Sequence, residues 1–215
     1  VACETNDDAG DTLSAQNQQP ALVGYQTTDL DIASDALLAA AGGTAVTIPG
    51  GEIFTSLQTG VIDAAEWVGP FNDLVIGFHQ VAKYYYYPGW QEPGPNLELI
   101  VNKQVWETLP ADLQAILRTA TLAVSNDVLA EYTARNNEAL RELVEQHGVK
   151  VRRLPADVLA QLKLISDEKV AELVGDDELS MRIYRSYENF RKGVIDYNEY
   201  SERAFMNIRA ELEGY

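Results

Sequence analysis

The hydrophobic positions of this chain change period several times, and each change marks an element. ASDALLAAAGG (33–43) reads as a short helix ending at Gly42 and Gly43, followed by TAVTI (44–48) as a buried strand. PGGEIFTSLQTG (49–60) predicts a turn and a two-turn helix stopped by Gly60, and VIDAAEW (61–67) predicts a second strand. These make one β-α-β unit. PFNDLVIGFHQVAKYYYY (70–87) then sets Pro70 at a helix start, gives an apolar face of Leu74, Phe78 and Val81, and runs into an aromatic strand. LELIVNK (97–103) predicts a further strand. The loop before it, PGWQEPGPN (88–96), places three prolines and two glycines around Glu92, which restricts its backbone.

Beyond Pro110 the pattern lengthens. Apolar residues at 113, 116, 117, 120, 124, 128, 140, 143 and 144 hold one helical face nearly to Gly148, a rod of about 55 Å. VKVRRL (149–154) reads as a strand, Pro155 begins a helix through about Val174, and GDD (175–177) breaks it. The tract from 180 to 212 is a last long helix with aromatics at Tyr184, Tyr187, Phe190, Tyr197, Tyr200 and Phe205, read as core or interface. Neither a repeat nor a sustained heptad is present. The resulting division is a flexible leader at 1–22, an α/β lobe at 23–110, and a bracing region of long helices with one strand at 111–215.

Composition adds exclusions. The chain has 215 residues, 46% of them hydrophobic, enough for a packed core. A formal charge of −17 and a pI near 4.4 would repel a polyanion, which sets nucleic acid aside as a partner. Residues 1–82 hold eleven acids and no Lys or Arg; the first base is Lys83 and the first arginine Arg118. No apolar run approaches the roughly 20 residues of a membrane-spanning helix. The single cysteine, Cys3, rules out an internal disulfide, and VAC followed by ETNDDAGDTLSAQNQQP resembles the mature start of a bacterial lipoprotein. The competing reading of Cys3 is an incidental surface thiol.

The chemistry-bearing residues are few. His79 and His147 sit in or at the end of predicted helices without a nucleophile motif nearby, so both read as structural, and the chain does not read as an enzyme. Glu66, in DAAEWVGPFND, and Glu92, in YYYYPGWQE, each fall at or after the end of a predicted strand, beside Trp67 and Trp90. Strand ends are where open α/β sheets place their ligand crevice. A carboxylate among aromatics must be paired, protonated or bound to a cation, because an unpaired buried charge costs several kcal/mol. A hard ion, Na⁺ or Ca²⁺, would take the two carboxylates plus a backbone carbonyl. Two half-exposed loop acids, or the acid and base of a glycoside hydrolase, fit the same residues.

At these residues the chain resembles the solute-binding receptors of tripartite ATP-independent periplasmic (TRAP) transporters, in the branch that binds 2-oxo and 2-hydroxy monocarboxylates. The likeness runs through PGGEIFTSLQTGVIDAAEWVGPFNDLVIGFHQVAKYYYYPGW and VNKQVWETLPADLQAIL and covers about residues 42–215. It implies a periplasmic-binding α/β fold, here mainly the second lobe with the long C-terminal helices. It also implies an extracytoplasmic location, TRAP permease subunits as partners, and a small organic acid such as pyruvate or lactate as ligand. By position, Glu66, the carbonyl of Trp67 and Glu92 stand where the family holds a metal ion, with Trp67 also bordering the ligand. The family's C-terminal helices brace the lobes and can mediate dimers.

The departures shape the expectation. The family's first lobe is essentially missing before residue 28, and the arginine that clamps the substrate carboxylate falls at or near Asp29. An aspartate there would repel a carboxylate. The reading is therefore a truncated or internally deleted receptor with impaired binding, possessing a lipoprotein-like leader. The alternative is an interaction module that associates through its helices and an exposed cleft edge.

Overall fold

The computed structural model describes residues 2–3, 22–25, 39, 41–90 and 99–214. The chain divides into two compact units, Val1–Ile165 and Ser166–Tyr215. In the first, six short strands form one mixed sheet: β1 (Ala2–Cys3), β2 (Leu22–Tyr25), β3 (Thr44–Thr47), β4 (Ala64–Ala65), β5 (Tyr84–Tyr87) and β6 (Lys150–Arg153). Their order is β3-β2-β4-β1-β5-β6. β2 runs parallel to β3 and β4, and β5 parallel to β6. β1 joins the two parallel halves by antiparallel pairing, with Ala2 opposite both Ala65 and Tyr85. Ala2 and Cys3, expected in a flexible leader, are thus strand residues.

Between β3 and β4 lies α1 (Gly50–Gln58), whose Ile53 and Leu57, four apart, are fully buried. It closes as predicted at Gly60, where φ is +69° and a side chain would be strained. Ile48, Ile62, Ala65 and Phe78 complete its core. The strand expected at 44–48 is buried only at Ile48; Thr44 and Thr47 are exposed, because β3 lies at the sheet edge.

α2 (Pro70–Ile76) begins at proline as predicted but stops early. Gly77 adopts φ +85°, and a 3₁₀ turn, Phe78–Gln80, replaces the expected continuation to Val81. A side chain at Gly77 would also meet Gln80 Nε2 at 2.8 Å. α3 (Lys103–Thr108) follows a stretch predicted as a strand. Residues 99–102 are irregular, Leu99 and Ile100 are exposed, and Asn102 instead caps α3, its Oδ1 accepting from Val105 N at 3.2 Å. With no neighbouring strand to pair, the apolar run has nothing to order it, and the cap wins.

α4 (Ala111–Glu145) is a single helix of 35 residues. Its predicted face packs only at its C-terminal end, at Leu143. Leu113, Ile116, Val124 and Val144 are exposed, and burial is confined to Ala139 and Leu143. The contacting line is Tyr132, Asn136, Ala139 and Leu143, spaced 4-3-4 as one helical face requires. Asn136 Oδ1 accepts from Phe71 N at 2.9 Å, and the Phe71 ring meets Tyr132 edge-on at 6.3 Å. This half packs against α2, and the first unit runs through Ile165. At its end the His147 ring stacks on His79 at 3.9 Å, and burial followed by the His147 charge lowers the His79 pKa. β6 and α5 (Ala156–Val174) form where predicted.

One polar pair crosses this core. Asp73 of α2 is 6% exposed, and Tyr85 of β5 donates its hydroxyl proton to Asp73 Oδ2 at 2.5 Å. Burial raises the Asp73 carboxyl to about 6, while the bonds it accepts from the Tyr85 hydroxyl and the Gly69 backbone N–H pull the other way.

In the second unit the predicted single tract is two helices, α6 (Glu178–Asn198) and α7 (Glu202–Glu213). They part at residues 199–201, where Ser201 Oγ donates to Tyr197 O at 3.1 Å and competes with the helical pattern. Asp177 caps α6 through Ser180 N at 2.8 Å. No residue of 166–214 is buried, and the aromatics Tyr187, Phe190, Tyr197, Tyr200 and Phe205 are exposed instead of forming a core within the chain.

Two stability outcomes follow from this packing. Leu143→Ala should cost about 2–5 kcal/mol in urea denaturation, whereas Ile116→Ala, on the exposed half of the same helix, should stay within about 0.5 kcal/mol. The second concerns pH. Because Asp73 holds its proton more tightly when folded, its contribution is complete below about pH 4 and is lost as pH rises through about 6. A carboxyl moved from 3.8 to about 6 corresponds to about 3 kcal/mol. Asp73→Asn, neutral throughout, should therefore gain about that much relative to the parent chain between pH 4 and 7.

Candidate functional site

The connection from β4 to α2, residues 66–69, carries two of the predicted site residues. Glu66 follows Ala65 directly and is half-buried. The Tyr85 phenol is raised above its usual pKa by burial first, then by the Asp73 charge and hydrogen bond, and then by the charge of Glu66. Glu66 and the Asp73–Tyr85 pair therefore share one electrostatic neighbourhood.

Trp67 turns its ring down onto the start of α1. A side chain at Gly50 would place its Cβ 2.4 Å from Trp67 Cη2, so the ring fits only because residue 50 is glycine. The ring packs on the buried cluster of Ile48, Ile53 and Leu57, and its Nε1 is buried without a hydrogen-bond partner among the described residues. Gly69 serves the other end. A Cβ there would approach Asn136 Oδ1 to 3.3 Å, and the Gly69 carbonyl accepts from Asp73 N at 2.9 Å. The connection is thus held by α1, α2 and α4 together.

Chemically it offers hard oxygen donors, the Glu66 carboxylate and the Trp67 carbonyl, next to apolar walls where charge interactions strengthen. This donor set fits an alkali or alkaline-earth ion and would suit a soft metal poorly. Among the described residues no group of three or more His, Cys, Asp or Glu could hold a metal. Glu92 and Asp29 lie outside the described residues, so of the expected ion ligands the structure describes Glu66 and Trp67. The backbone of Cys3 lies in β1, opposite Ala64 and Tyr84. Among the described residues no helix is long and apolar enough to cross a membrane.

Asp73 and Tyr85 were not singled out by sequence. The available signal was an acid in the first turn of a Pro-started helix, followed by an aromatic strand; the bond across 12 residues leaves no pattern of its own.

Comparisons with known proteins bear on the family and the fold. Residues 31–176 match the DctP family, described as bacterial extracellular solute-binding protein, family 7. A monocarboxylate 2-oxoacid-binding periplasmic protein from Nostoc sp. is 37% identical over 166 residues, 77% of this chain and 45% of that protein. A TRAP periplasmic solute-binding protein from Pseudoalteromonas atlantica, solved with bound sodium and pyruvate, superposes with a TM-score of 0.77 at 33% identity. That match covers 86% of this chain and 55% of the other. One from Colwellia psychrerythraea, with bound calcium and pyruvate, gives a TM-score of 0.78 at 32% identity, covering 86% and 56%. The chain spans about half the length of these relatives. They bear out the α/β, periplasmic-binding-like fold class and do not favour the alternative of an association module. The chain belongs to the bacterial extracellular solute-binding proteins of family 7.

Proposed function

We propose that this chain is the second-lobe portion of an extracytoplasmic receptor for small organic acids, serving a TRAP permease. The ligand class is 2-oxo or 2-hydroxy monocarboxylates, held with the help of Na⁺ or Ca²⁺. The carrying observation is Glu66 at the end of β4, half-buried and followed by Trp67 with its ring seated on Gly50. Glu66, the Trp67 carbonyl and Glu92 would hold the ion. The ion supplies positive charge for the ligand carboxylate, and the protein contributes oxygen donors and an apolar wall of Trp67 that excludes water.

Affinity for the acid is weak in this reading. No arginine precedes Arg118, and Asp29 stands at or near the clamp position, so the bidentate guanidinium contact is replaced by repulsion. Exposed aromatics on α6 and α7 support dimerisation through the C-terminal helices. Receptor rather than enzyme is the role of the matched family.

Ion titration by thermal unfolding tests the site. The melting temperature should rise with Ca²⁺ or Na⁺, by an amount equivalent to about 2.7 kcal/mol at a hundredfold excess over Kd. Glu66→Gln should abolish the rise. Isothermal titration with pyruvate and lactate should show binding weaker than micromolar, with or without the ion; micromolar affinity would overturn the impaired-binding reading.

A further inference from the structure

We propose that Tyr85 is a positioning residue for the ion-binding connection, holding Glu66 and Trp67 in register through its hydroxyl bond to Asp73. The proposal rests on the reading of Glu66 and Trp67 as ion ligands.

β4 is two residues long, so it cannot by itself fix the direction in which the chain leaves the sheet. That direction is set where the connection arrives, at the first turn of α2. α2 has only seven residues and is fastened by two side-chain bonds, each reaching a different element. Asn136 of α4 accepts from Phe71 N, and Asp73 Oδ2 accepts from the Tyr85 hydroxyl. The second bond returns to the sheet itself. Tyr85 lies on the same rung as Ala65, separated from it by Ala2 of β1, and Glu66 is the next residue after Ala65. Asp73 N donates in turn to the Gly69 carbonyl, the last residue of the connection. A closed circuit therefore runs from Ala65 along the connection to Gly69, through Asp73 to Tyr85, and back across the rung.

The chemistry of the phenol assigns different tasks to the two acids. A tyrosine hydroxyl has one proton, and at 2.5 Å it is given to Asp73 Oδ2. Asp73, 6% exposed, is committed to that bond inside the core, which separates its carboxylate from the cation-binding role of Glu66. Removing the hydroxyl takes from the buried carboxylate its only side-chain donor among the described residues, where Oδ1 already has no partner, an expensive arrangement that α2 can relieve by shifting off the sheet. Such a shift moves Gly69 and the connection with it.

The test uses the full chain with Tyr85→Phe and Asp73→Asn, the latter keeping an acceptor for the phenol. Hydrogen exchange is measured without added ion, and Ca²⁺ is titrated by thermal shift. In Tyr85→Phe the amides of Phe71 and Asp73 should exchange at least tenfold faster while those of α1 change less than threefold. The Ca²⁺ midpoint should rise at least tenfold. Asp73→Asn should neither speed that exchange nor raise the Ca²⁺ midpoint by more than threefold. Lowered melting of Tyr85→Phe with an unchanged Ca²⁺ midpoint would assign Tyr85 to stability alone and overturn the proposal. So would an Asp73→Asn loss as large as that of Tyr85→Phe. A parent chain responding to neither Ca²⁺ nor Na⁺ overturns the ion site and with it this role, and shows itself before any substitution is made.

Discussion

A carboxyl group sealed inside the first unit, that of Asp73, sets the geometry around it. Buried polar groups are costly when unsatisfied, so a helix carrying one can dock only where a donor waits. The donor here is Tyr85, and the docking it enforces brings α2 against both the sheet and α4. Much of the first unit follows from that placement. Phe71 meets Tyr132, the turn after α2 brings His79 onto His147, and residues 66–69 are drawn taut between β4 and Gly69. Apolar burial supplies most of the free energy, but it is non-directional; the polar pair contributes the specificity of register.

Glycine completes the constraint by what it omits. Trp67 can lie on the start of α1, and Asn136 can reach the start of α2, because Gly50 and Gly69 present bare backbone at the points of closest approach. The aromatic wall of the candidate ion site is therefore part of the hydrophobic core as well. Its orientation is set by Ile53 and Leu57 beneath it, without reference to any ligand.

Local punctuation was legible in the sequence. Pro70, Gly60, Pro155 and the GDD break each act through their own backbone, and α1, the start of α2, β6 and α5 form where those residues predict. What failed was any inference needing a partner. Among the described residues LELIVNK, despite its strand composition, finds no neighbouring strand at 99–102, and the apolar stripe over 113–128 finds no surface to bury it. The packing face at 132–143 was hidden because two of its members, Tyr132 and Asn136, are polar or amphipathic. Glu66 stood out as an acid beside Trp67 at a predicted strand end, and the resemblance of DAAEWVGPFND to a known receptor branch gave both residues a role, while Asp73, the last residue of the same stretch, was not singled out.

α4 behaves as a lever. Its fulcrum is the short span from Tyr132 to Leu143, and the 21 residues from 111 to 131 contain no buried position, an arm of about 32 Å. The arm carries a load at its tip, where Gln114 Nε2 donates to the carbonyls of Trp106 and Leu109 and the Arg118 guanidinium lies 5.2 Å from the Trp106 ring. Rotation of about 5° at the fulcrum displaces that tip by about 3 Å, by the helix rise alone. A tilt at the span where Asn136 accepts from Phe71, beside the candidate ion site, would be magnified at α3, whose Trp106 and Leu109 carbonyls the tip of α4 holds.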